Sequence, residues 1–187
     1  MALSAWAGNV QLTVTDTAGK PIADAVVFLD SAQARVAVKP QVGVEVEQVN
    51  KQFAPRVSVV AVGTSLAFPN RDAVRHHVYS FSPAKTFDLK LYAGTPANPV
   101  LFDKPGIVVL GCNIHDQMLA WVVVVETPYF GKTNAAGQIT LPGVPPGNYA
   151  LKAWHPGLPT GAQPQEQPLA VTQVNQSATT VLKGVAL

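Results

Sequence analysis

Ile107-Val108-Val109-Leu110-Gly111-Cys112-Asn113-Ile114-His115-Asp116-Gln117-Met118-Leu119-Ala120-Trp121-Val122-Val123-Val124-Val125 is the stretch on which the fold turns. It reads as two apolar, β-branched runs joined by a short loop. Branched side chains fit a pleated surface better than a helix, and the run Leu119 to Val125 is continuous enough for a strand buried on both faces. Gly111 is expected to allow a tight backbone before the loop. The loop holds the only cysteine of the chain, a histidine and a methionine: Cys112, His115 and Met118 stand at i, i+3 and i+6.

Outward from this stretch, strand signals dominate. Val10 to Thr15 alternates apolar and polar, as a half-buried strand does. Ala25 to Leu29, Val42 to Val49, Val57 to Val62 and Ser65 to Phe68 are further short runs. Val74 to Phe81 alternates around the pair His76-His77, and Thr86 to Leu91 alternates again. Gln138 to Leu141, Tyr149 to Ala153 and Ala170 to Val174 complete the set. No segment of helical length carries a 3.6-residue period. Many short strands with frequent turn signals predict an all-β chain of sandwiches or barrels.

Composition agrees and excludes other classes. The chain has 187 residues, which is one large domain or two small ones. Charged residues make up 13%, about half the usual share of roughly 25%. The net charge is +2 without a basic cluster, so a nucleic-acid partner is not expected. The longest apolar run has the length of a strand, so membrane insertion is not expected either. A single cysteine excludes an intramolecular disulfide. No Gly-x-Ser-x-Gly elbow, His-Glu-x-x-His motif or phosphate-cradling glycine loop is present, which argues against a hydrolase.

Thiolate, imidazole and thioether on one loop select a soft metal. Two imidazoles, one thiolate and a weak axial thioether form the ligand set of a blue-copper site. The second imidazole must come from elsewhere, and His76-His77 supplies it. Neighbouring side chains on a strand point to opposite faces, so one of the pair is expected to face the ion. Zinc on His76, Cys112 and His115 is the lesser alternative, because structural zinc wants four strong ligands. His155, in Trp154-His155-Pro156-Gly157, reads as a packed turn residue, and Asp116 as a solvent-facing loop carboxylate.

Two resemblances follow from these residues. Gly63-Thr64-Ser65-Leu66-Ala67-Phe68-Pro69-Asn70-Arg71-Asp72, followed by Val74-Arg75-His76-His77-Val78, resembles the first-ligand region of cupredoxins. The loop Cys112-x-x-His115-x-x-Met118 resembles their second ligand loop in its short, amicyanin-like spacing. Gln52-Phe53-Ala54-Pro55 is similar to an early cupredoxin strand, and the whole chain resembles bacterial secreted plastocyanin-like or methylamine-utilisation proteins. Separately, Val14 to Val27, Thr133 to Leu141 and Pro145 to Leu151 resemble the transthyretin-like, or carboxypeptidase-regulatory-like, β-sandwich. The expected organisation is a cupredoxin Greek-key β-sandwich over 49–127. It is inserted in, or merged with, a transthyretin-like β-sandwich formed by 8–48 and 128–187.

The cupredoxin resemblance implies one copper ion, cycling between Cu(II) and Cu(I), on His76, Cys112, His115 and Met118. The family places an Asn after the ligand His, where it bridges the two ligand loops. His77 occupies that position here, so it stands as an outer hydrogen-bond partner or an alternative ligand. The implied function is a non-enzymatic carrier of single electrons between periplasmic partners, met in transient, weakly steered contacts near His115. A protein that stores, senses or delivers copper, with the second sandwich as an interaction module, is the competing reading. Ala5-Trp6-Ala7 fits the small-x-small pattern before a signal cleavage site, so a periplasmic or secreted location with the signal peptide removed is expected. The oligomeric state is left open.

Overall fold

The structure is a computed structural model, and it describes residues 8–172 and 175–187. The tripeptide Ala5-Trp6-Ala7 and the end of the run expected over 170–174 lie outside the described residues. The first strands are β1 (Gly8–Thr15) and β2 (Val26–Asp30), followed by the short helix α1 (Ala32–Ala37). Next come β3 (Val44–Glu45), β4 (Glu47–Val49), β5 (Gln52–Ala54), β6 (Val57–Ala61), β7 (Thr64–Ala67), β8 (His76–Ser82) and β9 (Lys85–Tyr92). They are followed by β10 (Val100–Phe102), β11 (Gly106–Gly111), β12 (Leu119–Val125) and β13 (Phe130–Lys132). The last are β14 (Gln138–Val144), β15 (Gly147–Trp154), β16 (Gln165–Val171) and β17 (Asn175–Val181). The all-β expectation holds; among the described residues only the turn and a half of α1 is helical.

The chain forms two compact units, one from 1–37 with 127–187 and one over Val38–Glu126. Within the second unit Val44 and Glu45 run parallel to Leu66 and Ala67, and Val46 is fully buried in the core.

The second unit has a five-stranded sheet in the order β6-β12-β11-β8-β9, a three-stranded sheet β10-β7-β3, and the hairpin β4-β5. Val60, Leu66, Val78, Phe102, Leu110, Val122 and Val124, drawn from both larger sheets, meet in one core. The apolar run of β12 is explained by its position: it lies between β6 and β11, with Val122 to Val125 all buried. Because β8 and β11 are antiparallel neighbours, the start of β8 lies beside the loop that leaves β11.

The first unit has sheets β14-β1-β17 and β13-β2-β15-β16. Its strands come from both ends of the chain, and Thr133 stitches them. Its hydroxyl accepts the Ala25 N–H at 3.0 Å and donates to the Ile22 carbonyl at 2.6 Å. Its backbone carbonyl accepts the Asp24 N–H and its own N–H donates to the Ala25 carbonyl, both at 3.0 Å. Thr127 acts similarly, donating to the Leu29 carbonyl at 2.6 Å. Buried polar groups left unpaired cost about 1–3 kcal/mol. Thr133→Val keeps the shape and removes the hydroxyl. It is expected to lower the stability of this unit by about 1–3 kcal/mol in urea unfolding; an unchanged midpoint contradicts the stitch.

Candidate metal centre

Three donors converge in the second unit. His76 opens β8 and is fully buried, Cys112 directly follows β11 and is buried, and His115 sits half-buried in the connecting loop. The alternation of β8 decides which histidine turns inward: His76, Val78 and Ser80 are buried, and His77 and Tyr79 lie on the other face. Cys112 Sγ lies 3.8 Å from Nδ1 of His76 and 3.8 Å from Nδ1 of His115. The imidazole rings stand 5.0 Å apart between centroids. No donor atom of the trio is more than 4.8 Å from another.

These distances fit a single ion. A point equidistant from such a triangle lies about 2.2–2.5 Å from each corner, near the metal–thiolate and metal–imidazole lengths of about 2.0–2.3 Å. Met118 is buried in the same core cluster as Cys112, and its N–H donates to the His115 carbonyl at 2.9 Å, which tightens the loop. The donor types suit a soft or borderline metal and give hard cations nothing to bind.

The structure does not bring His77 to this cluster. Its Nε2 pairs with Asp88 of β9, and its ring meets Tyr79 edge-on. His155 accepts the Gly157 N–H in a turn of the first unit, and Asp116 is exposed. Gly111 serves sterically: a Cβ there would lie 2.8 Å from the Tyr79 ring. Its φ is not in the left-handed region, so the room for Tyr79, not backbone freedom, is what the glycine provides.

Several residues near the cluster carried no assigned role in the sequence reading. Asp72 accepts from His76 Nε2 at 2.8 Å. Burial pushes its carboxyl up, but the Lys51 N–H, the His76 ring and the Asn50 N–H outweigh this and hold it below the ordinary aspartate value. Asn70 is buried, and its amide donates to the carbonyls of Val74 and Tyr92 at 2.8 and 3.0 Å. Tyr92 pairs with His76 across β8 and β9, where a bulge interrupts the register. Its hydroxyl donates to the Phe68 carbonyl at 2.6 Å and accepts from the Gln48 amide.

Burial pushes the Tyr92 phenol up to about 12; the Gln48 hydrogen bond opposes the rise and the nearby Cys112 charge adds to it. The folded value thus exceeds the unfolded value of about 10. The fold keeps this contribution below pH about 10 and loses it as pH climbs towards 12. An ultraviolet phenolate titration should show one of the four tyrosines ionising near pH 12. Tyr92→Phe should lose that step; a variant that retains it contradicts the assignment.

No protein-family model matches the chain, and no curated protein matches it. Solved structures do. A copper-containing nitrite reductase from Thermus scotoductus is 25% identical over 49% of this chain, with a TM-score of 0.42. The matched part spans about a quarter of the reductase, 26% of its length. A purple cupredoxin from Nitrosopumilus maritimus is 18% identical, covers 44% of this chain and 99% of its own, and has a TM-score of 0.39. A methionine-to-alanine mutant of amicyanin in the Cu(I) form is 18% identical, covers 53% of this chain and 98% of its own, and has a TM-score of 0.41.

Proposed function

We infer that this chain is a mononuclear type 1 copper protein of the cupredoxin kind that carries single electrons between periplasmic redox partners. The observation that carries this reading is the convergence of His76, Cys112 and His115 on one point, with Met118 buried in the same core cluster as Cys112. Copper, when bound, supplies a one-electron couple between Cu(II) and Cu(I). The protein's part is to hold two imidazoles and a thiolate in one arrangement that suits both charge states. His76 is held from inside the core. Cys112 and Met118 are fixed where the loop joins its strands. His115, half-buried, is the donor nearest to solvent.

Partner contact is assigned to the same loop. Ile114 and Leu119 flank His115 and Met118 with 48% and 43% of their surface exposed. A low net charge and an apolar rim suit a small, transient encounter. The first unit, with its two sheets of three and four strands, is read as a transthyretin-like sandwich that serves as an interaction module. A lone cysteine whose thiolate is taken up by copper is also sheltered from oxidation, which suits an oxidising compartment. The trio His76, Cys112 and His115 is read as the place of one copper ion.

A copper titration of the apoprotein tests this. Intense thiolate-to-copper absorption is expected to saturate at one equivalent, with narrow copper hyperfine splitting in the paramagnetic resonance spectrum. Cys112→Ala should abolish the band. Its absence in the unaltered protein overturns the reading. A band accompanied by ready loss of Cu(I) to a chelator moves the function from electron transfer to copper delivery.

A further inference from the structure

His76 has no exposed surface, and its two ring nitrogens face different partners. Nδ1 lies 3.8 Å from Cys112 Sγ, and Nε2 lies 2.8 Å from Asp72 Oδ2. The carboxylate is itself fixed on every side. Oδ1 accepts the Asn50 N–H at 2.7 Å, and Oδ2 accepts the Lys51 N–H at 2.9 Å as well as the imidazole. The Asp72 N–H donates to Asn70 Oδ1 at 2.9 Å, and the Asn70 amide is anchored on Val74 and Tyr92. Asn50 and Lys51 are the two-residue turn of the β4–β5 hairpin, with φ of 54° and 59°. Both residues sit in the left-handed region, which a two-residue type I′ hairpin turn requires and which non-glycine residues adopt at a cost. Asp72 therefore ties one donor of the metal centre to a strained turn about twenty residues upstream.

We propose that Asp72 is the positioning residue of the metal centre: by accepting the Nε2–H of His76 it selects the tautomer that turns the Nδ1 lone pair towards the ion. A neutral imidazole carries one N–H, and the fully occupied carboxylate can only accept it. The proton is therefore held at Nε2, and Nδ1 is left as a donor. Carboxylates that hold a ligand histidine in this way commonly change metal affinity by about 10- to 100-fold. The negative charge of the carboxylate favours the more highly charged ion, so Asp72 lowers the reduction potential. The ion in this statement rests on the copper reading above; the choice of tautomer does not.

Long-range proton–nitrogen correlation spectra of the apoprotein test the tautomer directly. In the unaltered protein His76 should be protonated on Nε2 and not on Nδ1. In Asp72→Asn one oxygen acceptor is lost, so His76 should populate both tautomers. Copper affinity, measured by competition with a chelator, should fall by about 10- to 100-fold. The visible band should shift and the reduction potential should rise. His77→Ala should leave each of these readouts unchanged. Two results overturn the proposal. One is protonation of His76 on Nδ1 in the unaltered apoprotein. The other is an Asp72→Asn protein of reduced thermal stability whose tautomer and copper affinity match the unaltered protein, which would reduce Asp72 to a brace for the hairpin turn. The apoprotein spectra need neither copper nor a folded variant, so failure of the copper reading and failure of this proposal are separate results.

Discussion

A buried imidazole has two ring nitrogens, and neither can be left without a partner at small cost. His76 meets this constraint with Asp72 on one side and the thiol of Cys112 on the other. Much of the second unit is arranged around these two contacts. The β4–β5 hairpin and Asn70 hold Asp72, and the β9 bulge keeps Tyr92 opposite His76. The end of β11 delivers Cys112, and the start of β12 draws Met118 into the core. Strand pairing thus brings together donors that are 36 residues apart in sequence. Such a cluster is built on the ends of strands, which hold side chains more precisely than free loops do.

The first unit meets a different constraint. Its strands lie at both ends of the chain, and the second unit is the intervening segment. Interior pairing must therefore bridge more than a hundred residues, as the Thr133 contacts with Ala25 and Ile22 do at separations of 108 and 111. Closing so long a loop costs little more entropy than closing one half as long, since the cost grows only with the logarithm of length. A long intervening segment at this point is thermodynamically tolerable provided that the buried polar groups where the two ends meet are paired.

Local patterns foretold what local geometry decides. The spacing of Cys112, His115 and Met118 and the alternation along β8 are short-range features. They sufficed to put the three residues on one interstrand loop and to favour one histidine of the pair for the inside. The contact of Asp72 with His76 was out of reach because Asp72 is held by a turn at Asn50 and Lys51 that no nearby residue announces. The helix Ala32–Ala37 is too short to show a period, although Ser31 accepts the Ala34 N–H at 3.1 Å, as an N-terminal cap does. The polar strand Asn175–Val181 carries little apolar alternation because only Thr180 on it is buried. Val42 to Val49 reads as one run, yet it divides between β3 and β4 around the buried Val46, because two different partners claim its halves.

X-ray absorption at the copper edge of the loaded protein measures most directly whether a thiolate and two imidazoles share one ion. One sulfur scatterer and two nitrogen scatterers are expected at about 2.0–2.3 Å, with loss of the sulfur shell in Cys112→Ala. A copper shell of nitrogen and oxygen alone, unchanged by that substitution, would contradict this arrangement.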